Sequence, residues 1–109
     1  MKRARLTPQA NQDLLEATRW MVRDNPSAAQ AFQETIDIAT QTLASHPLAG
    51  RERVEFADAP MRFLPLTGYP FIIVYNPDRK PPLVLRALHS ARDLPEILKD
   101  LQSIPEIIN

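Results

Sequence analysis

The sequence predicts an α+β domain with an N-terminal strand, an antiparallel helical hairpin packed on a small, largely antiparallel sheet, and a short C-terminal helix. Three observations carry this. Apolar residues recur at helical steps through the first half of the chain, and the period falls to two near residue 55. Proline, eleven in 109 residues against two glycines, punctuates the boundaries between segments. The chain is 44% apolar and 24% charged, an ordinary globular balance, and is long enough for one modest core. Residues 1–109 therefore read as a single domain, without repeats, low-complexity tracts or linkers.

Residues 2–6 are a short strand stopped by Thr7-Pro8. Thr7 is a good N-cap, and Pro8 suits the first helical position, where its missing N–H would be unpaired anyway. Ala10, Leu14, Ala17 and Met21 then mark one stripe of an amphipathic helix over 8–24. Asn25-Pro26 repeats the start signal, and Ala28, Phe32, Ile36, Ala39 and Leu43 form the stripe of a second helix of about twenty residues. Ser45-His46-Pro47 closes it, and Gly50 opens a loop. So short a joint makes the two helices antiparallel neighbours. The extended runs follow: Met61–Leu66, Tyr69–Tyr75 and Leu83–His89, separated by Thr67-Gly68 and by Asn76–Lys80. Asp93 is the natural cap of a last helix over about 94–101. The expected core includes Leu14, Met21, Phe32, Ile36, Leu43, Ile72 and Val74.

Composition removes several chemistries. The absence of cysteine excludes disulfides, thiolate metal sites and cysteine nucleophiles. Two histidines, His46 and His89, are too few for an all-protein zinc site, so neither a metal nor a cofactor is expected. Thirteen basic residues balance thirteen acidic ones. Direct nucleic-acid binding is not expected of such a chain, because phosphate contact draws on a basic surplus. The balance is uneven along the chain: residues 51–92 carry seven basic against four acidic, and residues 93–109 one against four. The basic start lacks the apolar stretch of a signal peptide, and the longest apolar run, Phe71–Tyr75, is of strand length, so a cytoplasmic location away from membranes is expected.

Both faces of the strand over 71–75 are apolar: Phe71, Ile73 and Tyr75 on one, Ile72 and Val74 on the other. Leu83, Leu85, Val84 and Leu88 repeat this. A helical hairpin covers one face of a small sheet. The other face, unless the last helix covers it, is an apolar patch that asks for a partner, either another protein or a second copy. Trp20 lies off the main stripe of its helix and reads as either a core flank or a contact residue.

Taken in order, Leu6-Thr7-Pro8-Gln9-Ala10, the helix pair split at Asn25-Pro26, Ser45-His46-Pro47-Leu48-Ala49-Gly50-Arg51, Met61-Arg62-Phe63-Leu64-Pro65-Leu66, Phe71–Tyr75 and Leu88-His89-Ser90-Ala91-Arg92-Asp93-Leu94 resemble the RelE/ParE superfamily of toxins over about residues 3–95. The likeness is nearer to the ParE branch. It implies the toxin half of a type II toxin–antitoxin system, which inhibits DNA gyrase and is neutralised in a hetero-oligomer with a ParD-like or similar antitoxin. The RelE-type alternative is a ribosome-dependent messenger-RNA endoribonuclease. That chemistry needs a base, an acid and cations around the phosphorus, and Arg62, Arg86 and His89 are the residues on offer. The same residues have structural readings: His89 as a hydrogen-bonded anchor of the turn before Asp93, the arginines as ion-pair partners of Glu55, Asp58 or Asp93. Only three lysines and zero net charge weigh against the ribosome as target. In the gyrase reading no residue is catalytic. The antitoxin-binding candidates are then Trp20, Phe71, Ile73, Tyr75, Leu83, Leu85 and the tail residues Ile104, Ile107 and Ile108.

Overall fold

The fold is given by a computed structural model whose described residues are 2–90. Strand β1 is Arg5–Leu6, helix α1 Pro8–Asp24, helix α2 Pro26–Ser45, and strands β2 to β5 are Arg51–Glu52, Arg62–Pro65, Phe71–Asn76 and Leu83–His89. The five strands lie in the order β1-β5-β4-β3-β2. The β2–β3, β3–β4 and β4–β5 pairs are antiparallel, whereas β1 runs parallel to β5, with Arg5 opposite Leu83 and Leu6 opposite Val84. The last helix and the tail isoleucines of the sequence reading lie outside the described residues.

Capping fixes both helix starts. The Thr7 hydroxyl accepts the Ala10 N–H at 3.0 Å and donates to the Leu85 carbonyl at 2.9 Å, so one buried side chain caps α1 and ties it to β5. Asn25 serves both helices. Its N–H donates to the Met21 carbonyl, closing α1, and its side chain accepts from the Ser27 N–H, opening α2. A one-residue joint forces the helices antiparallel, and both lie on the same face of the sheet. There Phe32, Ile36 and Leu43 of α2 and Leu14, Ala17 and Met21 of α1 bury against Phe71, Ile73, Tyr75, Val84 and Ala87. Phe32 anchors this layer, edge-on to Tyr69 at 5.0 Å and tilted on Phe71 at 5.7 Å. All seven residues expected in the core are buried.

Three features depart from the sequence reading. The sequence reads as loop after Gly50; Arg51 and Glu52 instead form strand β2, paired with Phe63 and Arg62 at the sheet edge. β5 carries a bulge, since Tyr75 pairs with Val84 but Val74 pairs with Arg86, leaving Leu85 extra. The second face of the sheet is not left bare among the described residues. Phe56, Ala57 and Met61, from the irregular segment between β2 and β3, pack on Phe63, Ile72, Val74 and Leu88.

Candidate functional site

A groove of about 390 Å³ opens between α1 and the end of the sheet where β4 begins and β5 finishes. Helix α1 supplies Asp13, Glu16, Trp20 and Arg23 at steps of three, four and three, a second stripe beside the buried one. Phe71, Ala87 and His89 form the opposite wall, and His89 stands edge-on to the Phe71 ring at 5.5 Å. Trp20 stands at the mouth, 57% exposed, a large aromatic side chain that the fold leaves in solvent. Glu16 lies along the helix side with Arg19 and Arg23, so the groove carries mixed charge around an apolar centre.

The inner end of this groove is fixed by Asp13 and Arg86. Arg86 Nε donates to Asp13 Oδ2 at 2.7 Å and Nη2 to Oδ1 at 2.9 Å, with the side chains only 12% and 9% exposed. Asp13 Oδ2 also accepts the Ala87 N–H at 3.0 Å, on the stretch of β5 that β1 is too short to cover. The carboxylate thus substitutes for a missing strand neighbour and neutralises a nearly buried guanidinium at once.

Arg62 is engaged elsewhere. Its Nη1 donates to the Gly50 carbonyl at 2.7 Å, and Glu52 lies 3.9 Å from Nη2. The phenol of Tyr75 organises the same corner, accepting the Gly50 N–H at 2.8 Å and donating to the Pro47 carbonyl at 2.7 Å. Burial raises the Tyr75 pKa above its ordinary value, against the opposing pull of the Gly50 N–H and the Arg62 charge.

The three residues suggested for phosphodiester chemistry therefore do not meet. Arg62 is level with Tyr75 and His89 with Phe71, four residues along β4 and on opposite sides of it. At strand spacings their backbones are about 16 Å apart, and the Arg62 guanidinium turns towards Gly50. The ion-pair partners expected for the arginines also differ. Arg86 takes Asp13, 73 residues away, and among the described residues Arg62 has Glu52 beside it at 3.9 Å, while Asp93 lies outside them. Of the candidate antitoxin contacts, Phe71, Ile73, Tyr75, Leu83 and Leu85 are buried within the chain itself. Trp20 is exposed, which removes its reading as a core flank. Sequence reasoning missed Asp13, Glu16 and Arg23, although their spacing with Trp20 was a helical stripe in plain view. Among the described residues no cluster of histidines and carboxylates is arranged to hold a metal ion, and no helix is long and apolar enough to cross a membrane.

Comparison with known proteins gives this geometry a family. No curated protein matches the chain. A solved structure of the chromosomal ParDE TA system from P. aeruginosa is similar at 23% identity with a TM-score of 0.67, covering 82% of this chain and 96% of that one. At that identity the likeness is one of fold. The model of the ParE toxin of type II toxin–antitoxin systems (parDE) matches residues 4–94, all that β1, the helical hairpin and the sheet comprise, and the chain belongs to that family.

Proposed function

We propose that the protein inhibits DNA gyrase by binding, with no chemical step of its own, and that a cognate antitoxin neutralises it by docking on the α1 groove beside Trp20. Membership of the ParE toxin family carries this reading. A partner segment accounts for what the groove offers: an exposed tryptophan, an apolar wall of Phe71 and Ala87, and charges of both signs around them. The ParDE system of P. aeruginosa pairs a toxin of this fold with an antitoxin.

Ribonuclease activity keeps one observation in its favour, because His89 shares its groove with Glu16, Arg19 and Arg23. Against it, only Arg19 and Arg23 stand against Glu16 in the groove, a small surplus for holding a polyanion, and Arg62 and Arg86 are committed to other partners. The deciding experiment is a supercoiling assay with purified toxin and gyrase, run beside an in vitro translation assay. Loss of supercoiling with translation intact is the expected result. Arrest of translation with supercoiling untouched overturns it.

A further inference from the structure

At the opposite end of the β4–β5 hairpin, a groove of about 600 Å³ opens where the start of β1, the end of α2 and the β4–β5 turn meet. Its walls are rigid and apolar: Ala44 and Pro47 from the helix end, Pro77, Pro81 and Pro82 from the turn. Its rim is cationic, with Lys2, Arg3 and Arg5 on one side and Arg79 and Lys80 on the other, and no carboxylate lines it among the described residues. Arg3 is paired with Asp37 at 2.9 Å, and Arg79 has a partner of its own. Lys2, Arg5 and Lys80 are exposed and enter no ion pair among the described residues. In a chain of zero net charge this is a local surplus of positive charge that nothing described in the fold consumes.

The walls limit what can bind. Proline has no N–H, so the walls donate no backbone hydrogen bonds. Their carbonyls are partly used: Pro82 accepts from the Arg5 N–H at 2.9 Å and Pro47 from the Tyr75 hydroxyl at 2.7 Å. The strong donors left are cationic side chains at the rim, above an apolar floor. A ligand complementary to this carries an apolar body flanked by negative charges. We propose that the groove docks an acidic, extended peptide segment of a protein partner, one aliphatic or aromatic side chain lying against the prolines and carboxylates on either side meeting Lys2, Arg5 and Lys80. A nucleic-acid strand is a poorer match. Strand-binding grooves stack bases on aromatic rings, and no aromatic side chain lines this one. The proposal goes beyond the toxin reading and holds whatever the toxin's target, since this groove and the Trp20 groove share no residue.

The test is fluorescence anisotropy with the full-length chain and a short labelled peptide alternating glutamate and leucine. Glutamine-for-glutamate and serine-for-leucine peptides serve as controls, with a labelled DNA strand as rival. Saturable binding of the acidic peptide is expected, weakened by salt and at least about fivefold tighter than either control, as exposed ion pairs and a small apolar contact imply. The Arg5→Glu/Lys80→Glu double variant should bind about tenfold more weakly, and Lys80→Gln alone about two- to fivefold, each at an unchanged melting temperature. Lys80→Gln, on an exposed turn, keeps the question open to test if the double variant is unstable. No saturable binding, equal binding by Lys80→Gln and wild type, or tighter binding of the DNA strand overturns the proposal.

Discussion

Asp13 and Arg86 form a two-point ion pair across 73 residues of sequence, and the same carboxylate takes the Ala87 N–H that β1 leaves unpaired. Breaking it from one side strands a guanidinium that is only 12% exposed. Asp13→Ala should therefore cost about 3–5 kcal/mol, the usual penalty for an uncompensated buried charge. Asp13→Asn keeps an acceptor for Ala87 and should lose less, about 1–3 kcal/mol. Replacing both partners, Asp13→Leu with Arg86→Met, should recover much of the loss, because no charge then remains to be desolvated. Urea denaturation of the three variants measures this, and an Asp13→Ala loss under about 1 kcal/mol would show that the pair is effectively solvated.

Gly50 and Tyr75 hold the corner that leads from α2 into the sheet edge. A Cβ at position 50 would sit 2.8 Å from the Phe63 carbonyl oxygen and 2.8 Å from Tyr75 Cε1, so only glycine lets the phenol reach the Gly50 N–H. Tyr75→Phe leaves that buried donor without its acceptor and should cost about 1–3 kcal/mol. The tyrosine also makes a pH signature. Burial, the largest influence, raises its pKa above 10.0, so the folded state holds the proton more tightly than the unfolded chain. The stabilisation is complete below the unfolded pKa, about 10, and is lost as pH rises through the higher folded value. Tyr75→Phe should accordingly flatten the alkaline limb of stability above about pH 10 while lowering stability at neutral pH. Identical alkaline slopes for the two proteins would show that Tyr75 titrates alike in both states.

The helical half of the fold was readable because its signals are local. Thr7-Pro8 and Asn25-Pro26 are caps that act within three residues, and the stripes through Leu14 and Phe32 repeat over several turns. What escaped is what tertiary contact creates. β2 is two exposed charged residues whose strand geometry exists only through pairing with β3. Phe56, Ala57 and Met61 lie in a segment without periodicity, held by turns such as Phe56 N–H to the Arg53 carbonyl, and nothing local says that it folds over Ile72 and Val74. That omission made the second face look bare, while the candidate contacts Phe71, Ile73 and Tyr75 lie on the face that the helices themselves bury. The ion-pair partner of Arg86 was sought nearby, at Glu55, Asp58 or Asp93, because Asp13 lies in a helix at the other end of the chain.

His89 contributes to the edge-on contact with Phe71, and gyrase inhibition by binding asks no proton transfer of it. His89→Gln keeps a donor and an acceptor of similar reach, and its toxicity should stay within a few-fold of wild type. A nuclease that uses His89 as acid or base should lose on the order of 10²–10⁴ in rate. Mapping messenger-RNA ends after induction of each protein separates the two, and cleavage that vanishes with His89→Gln would defeat the gyrase reading.

Trp20 gives the sharpest test of where an antitoxin binds. At 57% exposed it adds little to the fold, and Trp20→Ala should change stability by no more than about 0.5 kcal/mol. Tryptophan at the mouth of a groove is the residue type that most often dominates an interface, typically by about 2 kcal/mol or more on truncation. The variant should therefore bind the antitoxin about thirtyfold more weakly, with its effect on gyrase in the supercoiling assay unchanged from that of wild type. The physiological readout follows by mass action: a toxin folded as before but poorly captured should arrest growth even when its antitoxin is co-expressed. Isothermal titration of purified toxin with the product of the neighbouring reading frame gives the affinity directly. Unchanged affinity in Trp20→Ala would move the antitoxin interface off this groove, and lost gyrase inhibition would place the target's contact there instead.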